Sequence, residues 1–360
     1  MSDDWDGMKH RFRAKPGPVV LPGEFVFAAA HLDHGHIYGQ CDGLLGAGAT
    51  LKWVYDPDPA KVAAFRTRFP SARAARSLDE ILGDREVRLV AAAAVPCDRG
   101  PLGCRVMDAG RDYFTDKTPF TSLDQLALAR ATVARTGRKY LVYYSERLHV
   151  ESAMAATDLV QDGAVGRVIQ VLGLGPHRLL EPTRPAWFFE RAKYGGIICD
   201  IGSHQFEQYL AYSGATDAVV TQAAVGNFAH PDRPEFEDFG EASALGNNGA
   251  SGYFRVDWFT PDGLGTWGDG RTVILGTEGS IELRKYIDVG RDRAGDQLYL
   301  VDRQGEHHLS VAGRIGFRFF GQLVRDCLDR TETAMTQVHA FKAAELCLLA
   351  QAAARRIVTG

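Results

Sequence analysis

The sequence predicts an α/β domain with a doubly wound parallel sheet, followed by an α+β domain with a large, open-faced, mainly antiparallel sheet. Three observations carry that prediction. Between about residues 24 and 148, apolar strand-like runs alternate six times with helix-like stretches across short Gly, Pro and Asp connections, the pattern of parallel strands joined by crossover helices. After about residue 150 the texture changes to β-rich segments at meander spacing, which suits an antiparallel sheet. A chain of 360 residues, 45% of them hydrophobic, exceeds a single core and has apolar side chains enough for two.

Residues 1–22 contain no apolar run behind their basic residues and are expected to form an arm or mobile tail. EFVFAAA (24–30) is the first buried strand, and 34–46 carries a helix. LKWVYDPDP (51–59) is a strand ending in an acidic turn, KVAAFRTRF (61–69) a helix and VRLVAAAAV (87–95) another buried strand. RVMDAG ends a helix, YFTDKTPF is a short strand, LDQLALARATVARTG a helix and KYLVYYSER the last strand of this half. The second half begins with ESAMAATDLVQDG as a helix and VGRVIQVLGLG as a strand. A glycine-containing helix follows, then the strand-rich segments AVVTQAAVGNF, SGYFRVDWFT, RTVILGTEGSIELRKYI and DQLYLVDRQGEHHLSV. Helices at roughly 315–330 and 335–357 close the chain. The domain boundaries read as 23–148 and 149–360, with the closing helices of 315–358 able to pack back on the first domain.

The net charge of −4, from 41 basic and 45 acidic residues, gives no footprint for nucleic acid or an anionic membrane, so a small molecule is the expected partner. Six cysteines without CxxC spacing suggest reduced thiols and the cytoplasm. No apolar run approaches membrane-spanning length.

The turn after the first strand decides whether the parallel domain holds a dinucleotide. A G-x-G-x-x-G fingerprint laid on AHLDHG places its glycines at Ala30, Leu32 and Gly35, and only Gly35 is a glycine. Ala30 is small enough for a tight turn, and a helix beginning near Gly35 directs free amides toward phosphate. Asp56 ends the second strand, where a carboxylate accepts the adenosine ribose hydroxyls and disfavours a 2′-phosphate, so NAD is expected over NADP. Pro96, after the third buried run, completes the cofactor rim. His34 and His36 face the same rim as polar contacts to phosphate or substrate, and no metal is assigned to them.

Lys117 in DKTPF lies just past a strand, where a lysine can hold a substrate hydroxyl or relay a proton. In GGIICDIGSHQFEQY, Asp200, His204 and Glu207 are spaced to share one helix face, which lets His204 meet either carboxylate. A zinc set of Cys199, His204 and Glu207 is the weaker alternative, because Cys199 is off that face. Tyr144, Glu146 and Arg147 in YYSER, with Trp187 and Arg191 ahead of the glycine pair, are candidate substrate contacts.

DKTPF, YYSER and GGIICDIGSHQFEQY together resemble the glucose-fructose oxidoreductase and inositol dehydrogenase family, Gfo/Idh/MocA, and the resemblance extends over about residues 24–358 through GTEGSIEL and HAFKAAELCLLAQAA. It implies a Rossmann domain plus an open-faced sheet domain, with homodimers or homotetramers formed through that sheet. The implied activity is hydride transfer between NAD and a secondary alcohol of a sugar, polyol or related compound. The implied catalytic residues are Lys117, Asp200 and His204, with the choice of base between Lys117 and His204 open. This chain departs from the family pattern in Thr118 within DKTP where the family has Glu-Lys-Pro, in Glu207 where aspartate is common, and in the glycine-poor turn. Two other readings remain: an NAD-retaining enzyme of the same fold that cleaves glycosides, and a non-catalytic sensor or scaffold.

Overall fold

The computed structural model describes residue 5 and residues 7–357. The first domain runs β1 (Val26–Ala30), α1 (His36–Gly46), β2 (Thr50–Tyr55), α2 (Pro59–Arg68), β3 (Arg73–Ala74), α3 (Leu78–Gly83), β4 (Val87–Ala92), α4 (Pro96–Asp108), β5 (Asp112–Asp116), α5 (Leu123–Thr136) and β6 (Tyr140–Tyr143). Its six strands are all parallel, in the order β3-β2-β1-β4-β5-β6. Helices cover both faces, so β1 and β5 are buried along their whole length; β1 reads as a continuous apolar run, while β5 buries Asp112, Thr115 and Asp116 along with its aromatic residues. Local chemistry fixes the helix starts. The Asp58 side chain accepts from the Ala60 amide with Pro59 behind it, and Ser122 accepts from the Gln125 amide. Strand order reverses between β1 and β4, and their carboxyl ends open the crevice where ligands bind in such sheets.

Two helices, α6 (Ser145–Leu148) and α7 (Glu151–Gln161), lead into the second domain. There follow β7 (Val168–Pro176), α8 (Arg191–Tyr194), α9 (Ile197–Asp200), α10 (Gly202–Ser213), β8 (Ala218–Gly226), β9 (Phe239–Gly246), β10 (Ser251–Asp257), β11 (Arg271–Gly276), β12 (Ser280–Arg284), β13 (Gln297–Asp302) and β14 (Gly305–Ser310). The chain closes with α11 (Arg318–Asp329), α12 (Gln337–Ala353) and β15 (Arg355–Arg356). The nine-stranded sheet has the order β14-β13-β12-β11-β7-β10-β9-β8-β15 and is antiparallel except where β7 meets β10 and β8 meets β15. Alternating burial along β9 and β11 shows one face packed, against α10 and its neighbours, and one face open.

Three expectations need adjustment. The strand β9 has no counterpart in the sequence reading, because Phe-Gly-Glu-Ala-Ser-Ala-Leu-Gly is poor in β-branched residues. The closing helix stops at Ala353, and Arg355–Arg356 pair with β8 instead. The described part of the amino-terminal segment is an arm tied down by specific contacts rather than a free tail. Arg314 lies over the Trp5 ring, Lys15 Nζ donates to the Gly313 carbonyl at 3.1 Å, and the Val19 amide donates to the Ala47 carbonyl at 2.9 Å.

Candidate active site

The turn between β1 and α1 is pinned from both sides. The His31 amide donates to the Tyr55 carbonyl at 2.9 Å, and the Ala93 amide donates to the His31 carbonyl at 3.0 Å. Asp56 accepts from the Leu32 amide at 2.6 Å and from the Asp58 amide at 2.8 Å, so this carboxylate shapes the turn. The residue with a glycine-like backbone is His31, at φ 53°, and not any of the three positions the fingerprint spacing picks out. A Cβ at Gly35 would meet nothing within 4 Å, so the space before α1 is clear.

Beneath the turn lies Asp116 at the end of β5, fully buried, which the sequence reading did not single out. Its Oδ1 accepts from His36 Nδ1 at 2.8 Å and from the Lys117 amide at 2.7 Å; its Oδ2 lies 2.9 Å from His34 Nδ1 and accepts from Arg99 at 3.2 Å. Because a carboxylate only accepts, the His36 ring carries its proton on Nδ1, while His34 Nδ1 also lies 3.4 Å from the His36 amide, which donates to it. Burial, with His36 nearby, lowers the His34 pKa to about 4 despite Asp116. The ligand atoms of His34, His36 and Asp116 lie within 4.8 Å of one another, but each Asp116 oxygen already has two polar partners and Arg99 stands against it, so we assign the cluster no metal. Arg99, inside α4, also donates to the Lys117 and Thr118 carbonyls and to Ala94, joining the DKTP segment to the loop that carries Pro96, the first residue of α4. The Lys117–Thr118 peptide is cis.

Lys117 is buried and its Nζ meets Asp200 Oδ1 at 2.5 Å, which ties the first domain to the second. Burial alone would raise the Asp200 pKa, but Lys117 overcomes it and holds the carboxyl below its ordinary value. His204 is 1% exposed and its Nδ1 has no hydrogen-bond partner. Burial lowers the His204 pKa to about 3, opposed by Glu146 and reinforced by Lys117, His36 and His177. At neutral pH it is therefore a neutral imidazole.

The expected pairing of His204 with Asp200 or Glu207 is absent. A one-residue break at Ile201 puts Asp200 at the end of α9 and His204 in α10, so the two do not share a continuous helix. Glu207 is claimed from the other side by a buried Arg147 and by His339 Nε2 at 3.1 Å; burial raises its pKa, and Arg147 brings it down to about 2. The same contacts remove Arg147 from the substrate side. Tyr144 is buried, with its hydroxyl donating to the Ala340 carbonyl, and it supports His204 edge-on at 6.5 Å. Arg191 pairs with Glu237 and Trp187 packs on Phe188, and no contact ties either to Lys117 or His204. Cys199 does not suit zinc, since burial raises its thiol to about 12.

Glu146 does reach the site. It accepts from Lys285 Nζ at 2.9 Å and from Gln205 at 3.0 Å, and its Oε1 lies 3.9 Å from His177 Nε2. Burial would raise the Glu146 pKa, but Lys285 and the histidines hold it below the usual carboxylate range. His177, just past β7, escaped the sequence reading because a single histidine after Gly-Pro has no pattern around it. It packs against Trp267 and Trp258, at 4.4 and 5.4 Å between ring centres, and burial lowers its pKa to about 4.

Residues 153–282 match the model of the GFO/IDH/MocA C-terminal domain. An oxidoreductase structure from Erwinia carotovora atroseptica SCRI1043, whose activity is named no more narrowly, is 51% identical, with 93% of this chain and 100% of that chain covered and a TM-score of 0.90. A D-xylose dehydrogenase of Paenarthrobacter nicotinovorans is 22% identical over 150 residues, 40% of this chain and 38% of its own. The chain spans 38% to 44% of the length of the curated relatives it matches. A levoglucosan dehydrogenase solved with NADH shares the fold, at 16% identity and a TM-score of 0.74, over 91% of this chain and 97% of that one. The doubly wound sheet, the open-faced sheet behind it and these matches agree: the chain belongs to the Gfo/Idh/MocA family of oxidoreductases.

Proposed function

We propose that the protein is an NAD-dependent dehydrogenase that moves a hydride between nicotinamide and a secondary alcohol of a sugar, polyol or related carbohydrate. The observation that carries this is the neutral, buried His204, with an unpartnered Nδ1, in the electrostatic reach of the Lys117–Asp200 pair at the rim of the parallel sheet. The turn fits a dinucleotide. The run Ala28–Ala30 and the alanines after β4 keep side chains out of its floor, and the space before Gly35 is clear. Residues 30–36, Asp56 and Pro96 would hold the cofactor, and Asp56 supports NAD over NADP by placing a negative charge at the end of β2. Bound there, the cofactor accepts or returns the hydride.

The chain's own residues supply the rest. His204, uncharged, takes the proton of the reacting hydroxyl, and Glu146 supplies a counter-charge for the imidazolium that results. Lys117 donates a hydrogen bond to the same oxygen, and Asp200 fixes where its ammonium points. The names of the D-xylose and levoglucosan dehydrogenases support a carbohydrate substrate. The exposed Val219, Leu245, Tyr253, Leu275 and Val301 on the open face of the second sheet support self-association through it. That association is part of the proposal.

The test is calorimetric binding of NAD and NADP, followed by a screen of sugars and polyols for formation of reduced cofactor. Tighter NAD binding is expected, with turnover lowered by about 10²–10⁴ in Lys117→Ala and in His204→Ala. Full activity in both variants, or binding of neither cofactor, would sink the reading.

A further inference from the structure

Charged groups around the reaction centre fall into pairs, with one left over. Lys117 pairs with Asp200, Lys285 with Glu146 and Arg99 with Asp116. The histidines His34, His177 and His204 are neutral above about pH 5, since burial brings them to about 4, about 4 and about 3. Arg184 is the group without a counter-ion. It lies in the segment between β7 and α8, its field reaches Asp200, and burial lowers its pKa from the ordinary arginine value. No carboxylate forms an ion pair with it among the described residues, and Asp200 already holds Lys117.

The guanidinium is held in place. Its centre lies 4.6 Å from the Phe188 ring and 5.1 Å from the Trp258 ring. Its Nε donates to the Leu179 carbonyl at 2.6 Å and one terminal nitrogen to the Arg178 carbonyl at 3.3 Å, which leaves the other terminal nitrogen without a partner. Trp258 also packs on His177, and His177 on Trp267, which is 39% exposed. Arg184, Trp258, His177 and Trp267 therefore form one continuous wall, aromatic along its length and cationic at one end. A half-buried charge with no partner is costly, and a fixed guanidinium edge is the preferred receptor for a planar carboxylate. Aromatic rings beside it suit the apolar face of a sugar.

We propose that the alcohol accepted at this site carries a carboxylate, as in an aldonic or uronic acid, and that Arg184 receives it. This rests on the dehydrogenase reading for the reaction but not for the binding, and the experiment separates the two. NADH-loaded protein is titrated by calorimetry with matched acid and neutral probes: D-gluconate against sorbitol, and D-glucuronate against D-glucose. The expected result is about tenfold or greater preference for an acid over its neutral partner, the effect of one charge-assisted hydrogen bond. That preference falls toward one in Arg184→Met, which keeps the packing volume, and is reduced but not abolished in Arg184→Lys, which keeps the charge without the planar edge; thermal melts of both variants verify folding.

Equal or weaker binding of both acids, or the same preference in Arg184→Met, overturns the proposal. Binding of neither acid also overturns it. Acid preference that depends on Arg184, in a protein that turns over none of the probes, leaves the receptor standing and counts against the dehydrogenase reading alone.

Discussion

The two loops that meet at the seam between the domains present their groups by opposite means. In the turn after β1, the backbone faces the crevice, and buried side chains hold it: Asp56 accepts two of its neighbouring amides and Asp116 receives His34 and His36 from below. At the centre, side chains face the crevice, and other side chains hold them: Asp200 aims Lys117, while Lys285 and Gln205 fix Glu146 beside His204 and His177. A backbone surface tolerates changes of residue as long as its supports and its small floor remain. A side-chain surface does not. By that difference the turn holds its shape with Ala30 and Leu32 at two of the three fingerprint positions, while the Lys117, Asp200 and His204 set has no such latitude.

The support is thus the vulnerable part of the turn, and removing it gives the largest effect. Asp116→Ala leaves the buried Arg99 and both histidines without their carboxylate. Loss of one partner from a buried ion pair costs about 3–5 kcal/mol. Urea denaturation should show a loss of that size, with NAD affinity reduced as the turn loosens. An Asp116→Ala protein with wild-type stability and NAD binding would show that the turn holds itself, and the contrast between the two loops would collapse.

An intermediate effect of pH is shared by the two loops. Burial depresses the pKa of His34 in the turn and of His177 in the centre to about 4 each, and that of His204 to about 3, against about 6.5 for a free histidine. Below pH 6.5 the unfolded chain binds protons that the folded chain refuses, so stability falls as the pH drops toward 4. Each such histidine accounts for about 2 kcal/mol between pH 7 and 5. Replacing His177 by Gln should flatten the fall by about that amount. The same fall in the variant would mean that His177 is not held neutral by the fold.

The parallel domain is legible in the sequence because strands covered on both faces are mostly apolar, as VFAAA is throughout and VRLVAA is apart from the exposed Arg88, and its helix starts carry their caps in the sequence. The second sheet is less legible, since β9 relies on neighbouring strands and not on its own Gly, Ala and Ser residues. In the site, Lys117, Asp200 and His204 stand out because Gly-Gly and DKTP frame them. Arg99, Asp116, His177 and Arg184 do not, since what brings them to the crevice is tertiary: a guanidinium reaching out of α4, a strand end, and a wall assembled across β7 and β10. The assumption of one uninterrupted helix from Asp200 misplaced that carboxylate, because a break at a single residue is below what periodicity resolves, while Glu207 shares α10 with His204 and is turned away by Arg147 and His339.

The smallest effect tests the turn at its own backbone. His31 holds a left-handed φ of 53°, which a glycine adopts without strain and a histidine at a modest cost. His31→Gly relieves that strain, but it also removes an edge-on contact to Tyr55 at 6.0 Å and frees the unfolded chain. The opposing terms leave a net change within about 1 kcal/mol, read by the urea midpoint. NAD affinity should stay within about threefold of the wild type, because the amides that face the crevice keep their places as long as Asp56 and Ala93 hold them. A tenfold or greater loss of NAD affinity would mean that the His31 side chain itself carries part of the binding, and the turn would then belong with the centre as a surface built from side chains.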